Sequence, residues 1–73
     1  MSKEVMESIV VGNTEQKNIK GYKVSELTLD ESRSNHNAKE YAGNVVYTKD
    51  GQEISLPFVI VEFKNKTYDF SWS

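Results

Sequence analysis

No cysteine occurs in this 73-residue chain, so neither a disulfide nor a thiolate metal site can reinforce the core. The single histidine, His36, cannot form a histidine cluster. No run approaches the roughly 18 apolar residues of a transmembrane helix, so no membrane span is expected. Charge of one sign is not in excess either. Nine basic and eleven acidic residues leave a net charge of −2, whereas a general nucleic-acid binder usually carries a strong basic excess. There is no Gly-x-Ser-x-Gly elbow to expose a nucleophile, and no spacing that matches a standard set of metal ligands. These absences point to a protein that is not an enzyme, with no cofactor, no metal and no nucleic-acid partner.

What the chain does have is aromatic residues. One Trp, four Tyr and three Phe each bury a large area, which a domain this small needs. A chain of this length buries only about 60% of its extended surface and is marginally stable. Residues 1–73 read as one domain, without repeat, linker or low-complexity tract.

Ser2 reads as an N-cap, with Glu4 in the first turn where negative charge suits the helix dipole. Val5, Met6, Ile9 and Val10 then recur on one helical face. Gly12-Asn13 reads as the stop, giving a helix of about ten residues, too short to persist undocked. Thr14 to Asn18 reads as a connector. Ile19 to Leu29 reads as a strand whose alternation changes phase: Tyr22 and Val24 share one parity, Leu27 and Leu29 the other. A bulge near Ser25-Glu26 restores the phase, because one extra residue swaps the faces.

Asp30 to Glu40 holds a single apolar residue, Ala38, and reads as an exposed loop whose ends extend the flanking strands. Tyr41 to Thr48 is a strand. Asp50-Gly51 between extended runs is a hairpin signal, because a type I′ turn needs positive φ at both central residues. Glu53 to Phe63 is apolar on both parities, as in a central strand covered on both faces or bent around the helix. Pro57 cannot donate to a ladder, so its nitrogen belongs at an edge, an end or a bulge. Tyr68, Phe70 and Trp72 alternate with polar residues as a half-buried strand. The expected fold class is α+β: a short N-terminal helix packed on a four-stranded antiparallel meander sheet.

Three constellations invite a functional reading. His36 with Asp30, Glu31 and Glu40 suggests a metal or acid–base cluster, but solvated loop residues explain it better. Tyr41, Tyr47, Tyr68, Phe70 and Trp72 suggest a base-stacking platform; an aromatic row filling the core explains them better at this net charge. Asn65-Lys66-Thr67 matches a glycosylation sequon and reads more simply as a turn.

The Tyr41-Ala-Gly-Asn-Val-Val-Tyr47 strand, the Asp50-Gly51 turn, the apolar strand and the aromatic last strand together resemble the C-terminal hairpins of small exported bacterial domains. These are often from lipoproteins and lay a helix on a curved antiparallel sheet, as in cystatin-like folds. The resemblance covers roughly the last 35 residues and carries no catalytic residue across. The lipid-bearing cysteine of lipoproteins has no counterpart in this chain.

The leading expectation is a non-enzymatic protein-binding or accessory domain of an exported bacterial protein. It would meet a protein partner, or a second copy of itself, through sheet surface or a sheet edge. Val59, Val61, Phe63 and Trp72 are the candidate partner surface. The alternative is a small intracellular regulator, phage- or plasmid-borne, that inhibits a host protein. Met-Ser-Lys-Glu-Val has no apolar signal core, so the compartment is read two ways: cytoplasmic, or exported with the signal already removed.

Overall fold

A computed structural model describes residues 2–25 and 27–73. Helix α1 (Lys3–Gln16) packs on one antiparallel sheet built from β1 (Lys23–Val24), β2 (Thr28–Leu29), β3 (Ala38–Lys49), β4 (Gln52–Phe63) and β5 (Tyr68–Trp72). A 3₁₀ turn at Glu31–Arg33 lies between β2 and β3. The sheet order is β1-β3-β4-β5, and β2 also pairs with β3. The two short strands therefore share one flank of β3, and the layout is the α+β meander the sequence predicts.

The helix begins where expected. The Ser2 side chain accepts a hydrogen bond from the Val5 amide at 3.2 Å, satisfying one of the first-turn donors. It does not stop at Gly12-Asn13. Met6, Val10 and Thr14, each four apart, form its buried stripe. The Thr14 hydroxyl donates to the Val10 carbonyl at 2.7 Å, so a polar residue enters the core with its hydrogen bond made inside the helix. Gly12 costs about 1 kcal/mol against alanine, and burial of the stripe outweighs it. The stop falls at Asn18, whose φ is +58°, an αL conformation that asparagine tolerates. Val5, expected on the buried face, is 48% exposed and stands on the helix flank.

The phase change in the first strand region becomes a register slip. Val24 pairs with Val45, whereas Thr28 pairs with Ala42, one residue out of step with the earlier register. Glu26, half of the expected bulge, lies outside the described residues; the flanking registers define the slip. Ser25 manages it. Its amide donates to the Asn44 carbonyl at 2.8 Å, and its hydroxyl both donates to that carbonyl and accepts from the Asn44 amide, each at 2.9 Å. A side-chain oxygen thus stands in for the ladder acceptor that the slip displaces. Tyr22, Val24 and Leu27 all reach the core as a result. Ser25→Ala is expected to cost about 1 kcal/mol, the net worth of one such bond. Its signature is faster hydrogen exchange at the Asn44 amide; unchanged exchange there would contradict the bridging role.

The β3–β4 hairpin turns at Asp50 (φ +52°) and Gly51 (φ +78°), with Lys49 paired to Gln52. Both central residues have positive φ, as a type I′ turn requires. Proline is locked near φ −65°, so Asp50→Pro is expected to cost about 2 kcal/mol and lower Tm by roughly 8–16 °C in a domain of this size. An unaltered melting curve would overturn that turn assignment. Pro57 lies in the middle of β4, on the side where the neighbouring strand ends. Its carbonyl accepts from Ser73 at 2.9 Å, so its donorless nitrogen faces the place where β5 finishes.

The core lies between α1 and the sheet: Met6 and Val10 from the helix, Val45 from β3, Phe58 and Ile60 from β4. Phe58 stacks on Phe70 at 5.6 Å between ring centroids. The Trp72 ring meets Phe70 edge-on at 5.0 Å.

Candidate functional site

Alternation along the strands divides the sheet into two faces. Phe58 and Ile60 face the helix, so their cross-strand partners Trp72 and Phe70 do too. Val59, Val61 and Phe63 take the opposite parity and line the outer face with Ala42, Glu40 and Ala38, their respective partners on β3. Val59 and Val61 are half-buried and Phe63 is 38% exposed. The candidate partner surface named from sequence is therefore split. Three of its residues share the outer face, while Trp72 lies across the sheet, in the aromatic cluster under the helix. Tyr41, Phe70 and Trp72 pack against the core on that same side, so the aromatic row serves packing there.

The two edges of the sheet differ. The β1/β2 edge is broken into two-residue pieces, slips register at Ser25 and carries Lys23. Short pieces, bulges and lysines are the devices by which proteins blunt an edge. The β5 edge has none of them. Tyr68–Trp72 is regular, free of proline and lysine, and no described strand lies beyond it. The Thr67 carbonyl accepts from Phe63, and the Ser73 amide donates to Pro57. These two bonds set the phase of the whole strand: residues 67, 69, 71 and 73 turn their amides and carbonyls to β4. Tyr68, Phe70 and Trp72 turn theirs outward, to the open edge. Backbone periodicity alone does not reveal this phase, so sequence reasoning had no signal for it.

Beside that edge runs an open groove of about 630 Å³, formed by Tyr68 and the flank of α1 at Val5, Ser8, Ile9 and Gly12. Tyr68 and Val5 are each 48% exposed. Two of the four exposed large hydrophobics named among the described residues thus meet at one edge. At the far end of the helix, the Lys17 ammonium lies 5.4 Å from the Trp72 ring centroid, a cation–π contact that ties the helix terminus to β5.

The loop cluster is dispersed. Asp30 accepts from the Ser32 hydroxyl at 2.7 Å, and Glu40 pairs with Arg33 at 2.7 Å. His36 instead lines a separate cleft of about 270 Å³ with Lys39, Lys64 and Lys66. Among the described residues no three His, Asp or Glu side chains gather as metal ligands. At the sequon, Asn65 Oδ1 accepts from the Thr67 hydroxyl at 2.6 Å and from its amide at 3.2 Å, a local turn between β4 and β5. No described helix is long and apolar enough to cross a membrane. Comparison of the chain with protein-family models, with curated proteins and with solved structures finds no match in any of the three.

Proposed function

We propose that this domain is a non-enzymatic protein-binding module that takes up an extended segment of its partner at β5. The observation that carries this reading is the contrast between the two edges. One is broken, bulged and lysine-bearing, while the other is regular and unguarded, with the outward amides of Tyr68, Phe70 and Trp72 beside an open groove that Val5, Ile9 and Tyr68 line together with polar helix residues. Strand addition draws affinity from main-chain hydrogen bonds and specificity from pockets for alternate side chains, and this edge supplies both. Its groups are backbone amides and rings, which recognise a partner and do not react with it. The outer face at Val59 and Val61 adjoins the same strand through Ser71 and Asp69 and widens the apolar surface a partner meets. The likeness of the last strands to exported bacterial domains suits an accessory role of this kind.

Selection from a displayed library of random peptides tests the reading. Bound peptides are expected to slow hydrogen exchange at the Tyr68, Phe70 and Trp72 amides. A chain of 73 residues is accessible to chemical synthesis, and N-methylation of Phe70 removes one outward donor without touching the β4 ladder. That variant should lose at least tenfold in peptide affinity. Peptides that bind with no protection of these amides, or equally well to the N-methyl chain, would overturn strand addition at β5.

A further inference from the structure

We infer that the segment this edge takes up is β5 of a second copy of the chain, paired antiparallel about a two-fold axis at Phe70. The inference rests on the strand-addition reading above and names its occupant. In that register Phe70 faces its own counterpart, and Tyr68 faces Trp72 of the other copy. All three are the residues whose amides and carbonyls point outward, so each facing pair is a hydrogen-bonded pair and about six inter-chain bonds form. The strand is self-complementary in side chains as well. Asp69 and Ser71 point to the outer face, and the same register sets each Asp69 opposite a Ser71. Centring the axis on Asp69 would set two carboxylates face to face, which is destabilising. Centring it on Ser71 would carry Tyr68 past the partner's β5, which runs only to Trp72.

The flanking surface supports the same arrangement. A two-fold axis perpendicular to the sheet keeps both helices on one face, where the grooves of the two copies meet. Val5 and Tyr68, both 48% exposed, then lie within the contact on either side of the axis. Ser8 and Gly12 line the helix flank between the copies, and a side chain added at Gly12 would meet no atom within 4 Å in the isolated chain. Two copies joined this way form one continuous sheet and close the single unguarded edge of each.

The absence of native cysteine makes the register directly testable. Residues 69 and 71 of opposing strands form a non-hydrogen-bonded pair, with Cα atoms about 4.5 Å apart, within disulfide reach. Like positions are diagonal, about 7–8 Å apart, and poorly placed. An equimolar mixture of Asp69→Cys and Ser71→Cys chains under mild oxidation should therefore cross-link at least tenfold faster than either variant alone. Sedimentation of the wild-type chain should show a monomer–dimer equilibrium between about 1 μM and 1 mM, shifted to monomer at least tenfold by N-methylation of Phe70. A wild-type chain that stays monomeric at about 1 mM, or like variants that cross-link as fast as the mixture, would overturn the self-paired dimer. If peptides still protect the β5 amides in that case, strand addition stands and only the second copy falls; if they do not, both fall.

Discussion

Phe58→Ala is expected to leave the domain largely unfolded at room temperature. Phe58 is 1% exposed, stands opposite Gly43 on β3 and Trp72 on β5, and stacks on Phe70 at 5.6 Å. It is the side chain through which β4 joins the helix-facing cluster to the edge strand. Truncating a buried phenylalanine costs about 3–5 kcal/mol, and a domain of this size has only about 3–5 kcal/mol in all. The two figures are equal, so the folded population should collapse. Far-ultraviolet circular dichroism and urea titration read the result. Phe58→Leu keeps most of the volume and is expected to stay folded, at a cost of about 1–2 kcal/mol. Ser55→Ala, on the exposed side of the same strand, should change stability by less than about 0.5 kcal/mol. A Phe58→Ala chain melting within a few degrees of wild type would mean that the core is centred elsewhere.

Trp72→Ala is the second large expected loss, and in the wild-type chain the tryptophan reports on its own surroundings. The indole meets Phe70 edge-on at 5.0 Å and Phe58 at 6.3 Å, with the Lys17 ammonium at 5.4 Å from its centroid. It is half-buried, so the cost falls at the low end of the usual range for such truncations, about 3 kcal/mol. That is enough to bring Tm close to ambient for a marginal domain. Trp72 is the sole tryptophan, so wild-type fluorescence tests its environment without labelling. Emission should be blue-shifted in the folded state and move red in urea. Lys17→Ala should shift the folded emission while costing only about 0.5–1 kcal/mol. Emission already at the solvent-exposed position in the folded protein would remove Trp72 from the core and leave it as a contact residue.

Local chemistry alone was enough for much of the architecture. Ser2 caps the helix because a serine oxygen can reach a first-turn amide. Asp50-Gly51 turns the hairpin because these residues tolerate positive φ. The change of parity between Val24 and Leu27 required a slip because side chains alternate strictly along a strand, and the slip is there. Tyr68, Phe70 and Trp72 share a face for the same reason. Each of these is decided within a few residues, by sterics and period.

The misreadings have a common origin in tertiary burial. Gly12-Asn13 carries a stop signal, yet the helix continues to Gln16, because Thr14 is buried against the sheet and bonds to Val10. Val59, Val61 and Phe63 are apolar like Phe58 and Ile60, and nothing in the chain says which parity the helix covers; docking of Met6 and Val10 decides it. Trp72 keeps the parity of Tyr68 and Phe70, and its cross-strand partner Phe58 puts it on the helix side, apart from Val59, Val61 and Phe63. The open edge is the least legible feature. Whether β5 turns the amides of Tyr68, Phe70 and Trp72 inward or outward depends on a one-residue choice of pairing phase with β4, made by the bonds at Thr67 and Ser73. A one-residue shift would set Phe70 opposite Val59 or Val61 and turn its ring to the outer face, so the helix-side packing of Phe70 and the outward amides are fixed together, by the register of the assembled sheet.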